Sequence, residues 1–276
     1  MAQSRRPRLR DLRQLYQLVG ECSELGADPV VWRQHLVEGV VQLFGGQVAI
    51  LTEATFAAPF GQPGWLLPRY VVDAGWPTTS DRRLSLERFS AEGFPEHGLF
   101  APETFGPPVS LRVIHARSRI GEAGWHESLL FNEYVRKGYL DDWMHAHFLS
   151  DQGEVFWLDL NRATGDRPFT ERQRRILWLL QREVTGFLGT RLAKLGERSV
   201  SDLSPRLQTV LLCLLEGDSE KQVALRLGLS RHTVHHYVKE LHRRFGAASR
   251  GELLARTRPY WPVLTGALAR RSDGLR

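Results

Sequence analysis

Residues 203–256 constrain the fold most, because their local signals predict a run of short helices. Serines suited to the N-cap begin each helix, and glycines suited to the C-terminus end the first three. The capping residues are Ser204, Ser219, Ser230 and Ser249, and the terminating glycines are Gly217, Gly228 and Gly246. Two helices joined by a short turn that contains glycine form a helix-turn-helix, and residues 228–230 are such a turn.

The third predicted helix, residues 230–246, has an apolar and a polar side. Its apolar residues recur at spacings of four, three and four, which places them on one side of a helix. They are Val234, Val238, Leu241 and Phe245, and the opposite side carries His232, His235, His236, Lys239 and Arg243. Because the second helix of a helix-turn-helix lies in the DNA major groove, we expect the polar side to contact DNA. The helix N-terminus, with Ser230 and Thr233, is suited to bind a phosphate.

The same stretch resembles the DNA-binding domain of the LuxR family, also called the GerE type. The family pattern opens with Leu-Thr/Ser-Pro-Arg, here residues 203–206, and continues with Gly-x-Ser-x-Lys, here residues 217–221. Four further motifs follow in the family order, and no insertion or deletion is needed to align them. They are a small apolar pair (223–224), Leu-x-Leu-Ser (227–230), Thr-Val (233–234) and Gly-x-x-Ser-Arg-x-Glu-Leu (246–253). The resemblance covers about 55 residues. It implies an all-α, four-helix domain that binds double-stranded DNA.

By this resemblance, His235, His236 and Lys239 occupy the base-reading positions of the third helix. The family often has Lys-x-His-Val where this chain has His235-His236-Tyr237-Val238. A histidine in place of a lysine makes the charge at these positions dependent on pH near neutrality. The residues that we expect to contact or attract DNA phosphates are Ser230, Arg231, Thr233, Arg243, Arg244 and Arg250.

The excess positive charge of the chain lies entirely at this end. From residue 201 onward there are thirteen Lys and Arg residues and seven acidic residues. The difference of +6 equals the net charge of the whole chain of 276 residues. The first 200 residues are therefore balanced. Positive charge that coincides with a helix-turn-helix pattern is the distribution expected of a DNA-binding domain.

Two other interpretations of this domain stay open. Helix-turn-helix shapes also occur in protein–protein modules, so the alternative function is an adaptor without specific DNA binding. A metal site is the other, because His232 and His236 are one helical turn apart with His235 beside them. No cysteine or acidic residue stands next to them to complete a tetrahedral ligand set, so we expect no metal.

Helices and strands are mixed through residues 9–195, which predicts an α+β domain with a mainly antiparallel sheet and flanking helices. The predicted helices cover residues 9–19, 28–44, 84–89, 125–137 and 170–195, and the predicted strands cover 47–51, 70–73, 110–114, 141–149 and 155–160. The Gly- and Pro-rich segment 93–108 is predicted to be irregular. A capping box of Thr170 and Gln173 begins the last helix.

This pattern is similar to a GAF- or PAS-type sensory domain. The likeness is carried by a strand that ends in Gly75-Trp76, the hairpin at residues 147–162 and the segment 167–170. It implies a sensor of a small molecule or a partner. Aromatic residues that would wall a ligand cavity are Trp65, Tyr70, Trp76, Trp125 and Trp143, with core packing as the simpler role for most of them.

The chain therefore divides into five predicted segments. They are a disordered N-terminus (1–8), a sensory domain that ends in a long helix (9–195), a polar linker (196–202), the helix-turn-helix domain (203–257) and a basic tail (258–276).

Two better-defined sensory modules fit the residues poorly. A phosphoreceiver needs an early acidic pocket and a phosphorylatable Asp after a parallel strand, and Asp141-Asp142 comes too late in the chain. The acyl-homoserine-lactone sensors have a Trp, Tyr and Asp-Pro set, which Trp65, Tyr70 and Asp73 match only in part because Ala74 replaces the proline.

Candidate catalytic or metal residues in this domain are few. His145 and His147 share one face of a strand and, with Asp141, suggest either a metal site or an exposed polar sheet face, of which the second is simpler. His126 and Glu127 suggest an acid–base pair, but no nucleophile pattern accompanies them. We therefore expect no enzymatic activity, cofactor or metal.

The predicted helix 170–195 carries a broad apolar stripe. Its members are Ile176, Leu177, Leu180, Val184, Phe187, Leu188 and Leu192. A stripe this wide is able to pack on its own domain along one edge and on a second subunit along the other. We predict a homodimer, with packing on the sheet alone as the alternative.

The low number of cysteines and the absence of long apolar runs predict the cellular compartment. Cys22 and Cys213 are too far apart in the sequence to suggest a disulfide framework, which indicates a reducing cytoplasm. The apolar runs are short and interrupted by charges, and the basic N-terminus lacks an apolar segment after it. Together these features predict a cytoplasmic, sequence-specific transcriptional regulator whose N-terminal domain senses a small molecule or a partner.

Overall fold

The computed structural model describes residues 5–26, 28, 30–56, 66–78, 82, 110–192, 200, 203–261 and 264. Several predictions fall outside these ranges. They concern Trp65, the helix at 84–89, the irregular segment 93–108, and most of the predicted linker and basic tail.

An antiparallel sheet forms the centre of the N-terminal domain. Its strands are β1 (Val48–Phe56), β2 (Leu66–Ala74), β3 (Ser110–His115), β4 (Leu140–Leu149) and β5 (Glu154–Ala163). Within the described ranges they lie in the order β2-β1-β5-β4-β3, and each neighbouring pair is antiparallel. The predicted antiparallel sheet with flanking helices is confirmed.

Helix α1 (Leu9–Leu25) packs on α2 (Val31–Phe44) and on a later helix, Glu171–Phe187, and these last two helices cover one face of the sheet. The fourth helix of the domain, α3 (Ala116–Glu127), packs beside β3 and β4, so the helix at Glu171–Phe187 is α4. Trp32 of α2 stacks on Phe156 of β5 with ring centroids 6.3 Å apart. Leu15, Leu36 and Leu177 are fully buried in the same layer.

Two helix predictions in this domain were wrong in extent or type. Helix α1 continues through Gly20, because Leu18, Val19 and Cys22 are buried on either side of it and Gly20 itself faces open space. The helix predicted at 125–137 is instead the end of α3, a π-helical turn and a 3₁₀ turn; the two turns are Phe131–Val135 and Arg136–Gly138.

Helix α4 begins as predicted but ends early. Thr170 Oγ1 accepts from the Gln173 N–H (3.3 Å), and Gln173 Oε1 accepts from the Thr170 N–H (3.0 Å). The helix ends at Phe187 rather than near residue 195, because Gly189 has a positive φ of 75° and its N–H donates to the Leu192 carbonyl. Four residues of the predicted stripe, Ile176, Leu177, Leu180 and Val184, are buried within their own domain.

The C-terminal domain contains the helix-turn-helix. Its helices are α5 (Pro205–Leu215), α6 (Glu220–Leu227), α7 (Arg231–Phe245) and α8 (Arg250–Thr257), and a 3₁₀ turn follows at Arg258–Tyr260. The side chains of Ser204, Ser219, Ser230 and Ser249 cap these helices as predicted. The predicted apolar face of α7 is confirmed, because Val234, Val238, Leu241 and Phe245 are all buried.

Val200 is the one residue of the predicted linker that lies within the described ranges. It is buried, and its carbonyl accepts a hydrogen bond from the Gln208 side chain of α5 (3.1 Å). The same side chain donates to the Leu203 carbonyl, so Gln208 holds the chain where it enters the C-terminal domain.

A buried ion pair joins α2 to the sheet. Arg33 of α2 and Glu53 of β1 are 1% and 2% exposed, and Arg33 Nε lies 2.5 Å from Glu53 Oε1. The Arg33 guanidinium also lies over the rings of Trp32 (4.5 Å) and Tyr70 (5.1 Å). Removing one member of such a pair is costly, because the other charge is left buried without its counter-ion.

We expect Glu53→Gln to lower the free energy of unfolding by about 3–5 kcal/mol. The double variant Arg33→Met/Glu53→Leu removes both charges and should recover most of this loss. Urea denaturation followed by circular dichroism measures both. A single variant as stable as the wild type would show that the ion pair does not hold α2 on the sheet.

Candidate DNA-binding surface and sensory pocket

One side of α7 is exposed and polar. Its residues are His232, His235, His236, Lys239 and Arg243, and we call them the DNA-contact face. Helices α5, α6 and α8 pack against the opposite side of α7, which turns this face to solvent. The structure thus places the three predicted base-reading residues together on one accessible helix side.

Some of the N–H groups at the N-terminus of α7 are available to an anion, and one is already capped by a side chain. Ser230 Oγ accepts from the Thr233 N–H (3.0 Å) and contacts Thr233 Oγ1 (2.8 Å), so these two predicted phosphate contacts also cap the helix. The earlier N–H groups of the first turn have no acceptor inside the helix. They remain available to a phosphate, with the partial positive charge of the helix end.

Acidic residues border the DNA-contact face. Glu220 of α6 lies 3.2 Å from His235 Nδ1, and Glu240 accepts two hydrogen bonds from Arg243. The hydrogen bonds from Arg243 lower the pKa of Glu240. These acids reduce the positive charge of the face. The sequence alone did not show Glu220 beside His235, because the two belong to different helices.

The remaining predicted phosphate contacts differ in their surroundings. Arg250 donates to the Asp218 carbonyl (2.7 Å), which ties α8 to the loop before α6. Arg231 and Lys239 form no ion pair with any residue in the described ranges. Arg244 is exposed near the C-terminal end of α7.

The face of the sheet that points away from α1, α2 and α4 is buried, and it carries polar residues among apolar ones. We use the name polar sheet face for the set Thr52, Trp143, His145, His147, Trp157, Asp159 and Asn161. Pairing across the strands places Asp73, Ile50, Asp159, His145 and Ile114 in one row. Buried polar residues in such number are expensive in a domain core and are typical of a site that binds a ligand.

Asp159 is the most unusual residue of this face. The indole N–H groups of Trp143 (3.0 Å) and Trp157 (2.8 Å) both donate to its Oδ1 atom. Burial nevertheless raises the pKa of Asp159 to about 7, against the opposing effect of the two indoles. Its Oδ2 atom accepts no hydrogen bond from the residues that the structure describes.

His145 and His147 are buried beside Asp159, which contradicts the expected exposed polar face. Both are 0% exposed, and His145 Nε2 lies 3.2 Å from His147 Nδ1. Burial, together with His147, holds the pKa of His145 well below its ordinary value, so its ring is neutral. Asp141 is not with them, because it pairs with His126 (2.9 Å) and Arg117 (2.7 Å). Within the described ranges, no group of three or more metal-ligating side chains is assembled.

The predicted cavity aromatics are separated by the sheet. Trp125 stacks on Trp143 with centroids 6.1 Å apart, and Trp76 packs against the same cluster. Tyr70 lies on the opposite face, against Arg33, and is therefore separated from the other predicted cavity aromatics. Asp73 faces the other way from Tyr70 and accepts from Arg82 (2.7 Å), so these two residues do not form one lactone-type set.

The acid–base pair suggested for His126 and Glu127 does not form, since His126 bonds to Asp141 instead. A different histidine, His115, contacts Ser118 Oγ (2.7 Å) and Asp142 Oδ1 (2.9 Å). Asp142 also accepts a hydrogen bond from the Phe169 N–H and forms an ion pair with Arg117. This network joins β3, α3 and β4 to the segment before α4, and we assign it a structural role.

Residues 201–256 match the family described as "Bacterial regulatory proteins, luxR family", of the GerE type. These residues are therefore a luxR-family helix-turn-helix domain, as the resemblance implied. The match covers about a fifth of the chain. No curated protein matches the chain.

Three solved structures show more distant likeness. Escherichia coli SdiA is 14% identical, with 85% of this chain and 92% of that chain covered and a TM-score of 0.36. SdiA in complex with octanoyl-rac-glycerol is 14% identical, with 90% and 93% covered and a TM-score of 0.39. The Vibrio cholera VqmA–ligand–DNA complex is 25% identical, with 47% and 52% covered and a TM-score of 0.23. TM-scores this low do not establish a common fold, so the family assignment rests on residues 201–256.

None of the helices in the described part of the chain is long and apolar enough to cross a bilayer.

Asp159 predicts a pH-dependent stability. An Asp whose pKa rises from 3.8 to about 7 on folding contributes stability that is present below about pH 4 and is lost as the pH rises to 7. We expect Asp159→Asn to remove this slope, so that the variant gains stability relative to the wild type between pH 5 and pH 8. Thermal denaturation at both pH values measures the difference. Asp151→Asn, in an exposed turn, is the control, and an equal effect of Asp159→Asn at both pH values would contradict the assignment.

Proposed function

We propose that this protein is a transcriptional regulator that binds double-stranded DNA through α7 and senses a small molecule in its N-terminal domain. The observation that carries the proposal is the exposed DNA-contact face within a luxR-family helix-turn-helix domain. The positive net charge of the chain resides in the same domain, which favours a polyanionic partner.

The proposed DNA complex places α7 in the major groove. His235, His236 and Lys239 then read base edges, and each well-formed pair contributes roughly 1–3 kcal/mol of discrimination. The phosphate contacts come from Ser230, Arg231, Thr233, Arg243, Arg244 and Arg250 and make the affinity dependent on salt. Glu220 contacts His235 at 3.2 Å and lies at the edge of the proposed base-reading surface.

The proposed ligand site is the polar sheet face. Trp125 and Trp143 supply an aromatic wall, and Asp159 supplies a carboxylate oxygen without a partner among the described residues. A ligand that donates a hydrogen bond to Asp159 Oδ2 would stabilise the ionised carboxylate, which burial disfavours. An antiparallel sheet with helices on one face and a buried polar surface on the other supports a GAF- or PAS-type sensor.

A homodimer is part of the proposal. We place its interface on a surface near the start of α4 and not on the apolar stripe predicted along that helix. The stripe is largely buried within its own domain, but Trp178 of α4, Tyr16 of α1 and the nearby Leu9 are 38%, 51% and 64% exposed. Pro7, Arg174, Arg175, Trp178 and Leu179 line a surface depression of about 410 Å³. The arginines around it are paired locally: Arg174 and Arg175 with Glu171, and Arg182 with Glu183. Local pairing lowers the charge repulsion between two copies of this patch.

Selection of bound sequences from a random DNA pool tests the proposed function. We expect the full-length protein to enrich a sequence with two half-sites about one helical turn apart, with affinity that falls log-linearly with salt. Binding without enrichment would remove sequence specificity from the proposal. Absence of any salt-dependent binding would instead favour the protein–protein adaptor.

Two variants separate base reading from phosphate attraction. We expect His236→Ala to weaken binding to the enriched site by about 1–3 kcal/mol while binding to random DNA is retained. Arg244→Ala should weaken binding to both DNAs alike and reduce the salt slope by about one. Fluorescence anisotropy at several salt concentrations measures both. Equal losses on both DNAs in the two variants would refute the assignment of the DNA-contact face.

The dimer surface has a direct test. We expect Trp178→Glu to convert a dimer to a monomer, because it places a charge in a small apolar contact. Sedimentation velocity at several concentrations measures the change. Leu129→Glu alters an exposed apolar residue far from α4 in sequence and is the matched control. A monomeric wild type, or a dimeric Trp178→Glu variant, would exclude this surface.

A further inference from the structure

The C-terminal domain contacts the N-terminal domain through residues outside the proposed DNA and ligand sites. We propose that the 3₁₀ turn after α8 docks the DNA-binding domain onto β2 and fixes the orientation of α7 relative to the sensory sheet. We call this contact the domain dock; it consists of Asp28, Tyr70, Arg256 and Tyr260. The inference rests on the proposed function, whose regulation it specifies.

Tyr260 forms the apolar part of the domain dock. It is 1% exposed, although it follows the last helix of the C-terminal domain. Its ring meets Tyr70 of β2 edge-on, with centroids 5.0 Å apart, and packs on Phe245 with centroids 5.9 Å apart. Phe245 is the last residue of α7. One aromatic ring therefore connects the sensory sheet to the DNA-binding helix.

The polar part of the domain dock is an ion pair between distant parts of the chain. Arg256 Nη1 of α8 lies 2.9 Å from Asp28 Oδ2. The other oxygen of Asp28 accepts from the N–H groups of Val30 (2.9 Å) and Val31 (3.2 Å) at the start of α2. Partial burial acts to raise the pKa of Asp28, but these N–H groups and Arg256 lower it overall. The carboxylate thus stays ionised and spans the two domains at neutral pH.

Tyr70 is itself held rigidly from the sensory side. The Arg33 guanidinium lies over its ring, and Arg33 is paired with Glu53, which is the cross-strand neighbour of Tyr70. Arg33 and Tyr260 therefore both contact the Tyr70 ring. A movement of β2 would be transmitted to Tyr260 rather than absorbed by a loose side chain.

The same strand borders the proposed ligand site. Val71 and Asp73 point to the polar sheet face, opposite Thr52 and Ile50 of β1, and Tyr70 points to the domain dock. Adjacent residues of a strand are about 3.3 Å apart and move together. A ligand that shifts β2 by contact with its polar side therefore also shifts the surface on which Tyr260 rests.

The domain dock orients the DNA-contact face without covering it. His232, His235, His236, Lys239 and Arg243 all remain exposed while Tyr260 is buried. Docking is therefore compatible with DNA binding and restricts the directions in which α7 points. We infer that the docked arrangement is the one competent to bind two half-sites.

A distance measurement without DNA tests the docking itself. Spin labels at Glu38→Cys and Lys221→Cys report the separation of the domains, and the native Cys22 and Cys213 are buried. Labelled protein is diluted with unlabelled protein so that only distances within one chain are measured. We expect one narrow distance in the wild type and in Tyr260→Phe, and a broad distribution in Tyr260→Ala. A broad distribution in the wild type, or a narrow one in Tyr260→Ala, would overturn the docking.

DNA affinity tests the consequence. For a fluorescein-labelled duplex that carries the enriched two-half-site sequence, we expect Tyr260→Ala to bind about tenfold more weakly, as it would if undocking left the competent orientation populated at about a tenth. Asp28→Asn keeps the oxygen that caps α2 and should weaken binding by about two- to threefold, roughly half a kcal/mol. Tyr260→Phe keeps the ring and should bind like the wild type. Thermal denaturation confirms that each variant is folded.

The outcomes separate this inference from the proposed function. Unchanged or tighter DNA binding by an undocked Tyr260→Ala protein would show that the domain dock does not hold the competent orientation. Failure of the wild type itself to bind DNA would refute the proposed function, and the distance measurement would still decide whether the domains dock.

Discussion

The buried charge of Arg33 is the constraint on which the arrangement of the molecule depends. A guanidinium in an apolar core is stable only where a counter-ion and ring faces surround it. Glu53 of β1, with Trp32 and Tyr70, supplies these contacts, so α2 packs on the sheet at one position along β1 and β2. The ring of Tyr70 is fixed in turn and packs nearly perpendicular to the ring of Tyr260. One ion pair therefore determines both the packing of the N-terminal core and the place where the C-terminal domain rests.

The two faces of the sheet serve opposite purposes. The face under α1, α2 and α4 is apolar and supplies the burial that stabilises the domain. The other face buries Asp159, His145 and His147, which a core selected only for stability would replace with apolar residues. The cost of this polar face is met by the apolar one. A domain with spare stability on one side of a sheet is able to carry a ligand site on the other.

Local interactions explain why the C-terminal domain was predictable. Each cap, each terminating glycine and the apolar face of α7 involve residues within a few positions of one another, so the sequence pattern and the structure coincide there. The N-terminal helices were predicted less well, because their ends are not marked by such local patterns. The end of α4 depends on a turn at Gly189, and the segment after α3 forms a π-helical turn rather than a continuous helix. Neither leaves a strong periodic signal.

Sequence patterns were enough to identify the luxR-family helix-turn-helix, the position of the positive charge and the antiparallel nature of the N-terminal sheet. The tertiary structure alone decided which residues share a site. It put Tyr70 on the helix side of the sheet and Asp159 on the polar side, it brought Glu220 to His235, and it joined Asp28 to Arg256. The physical reason is that strand register and domain contacts join residues far apart in the chain. The free energy of those contacts depends on the whole packed core and not on any local pattern.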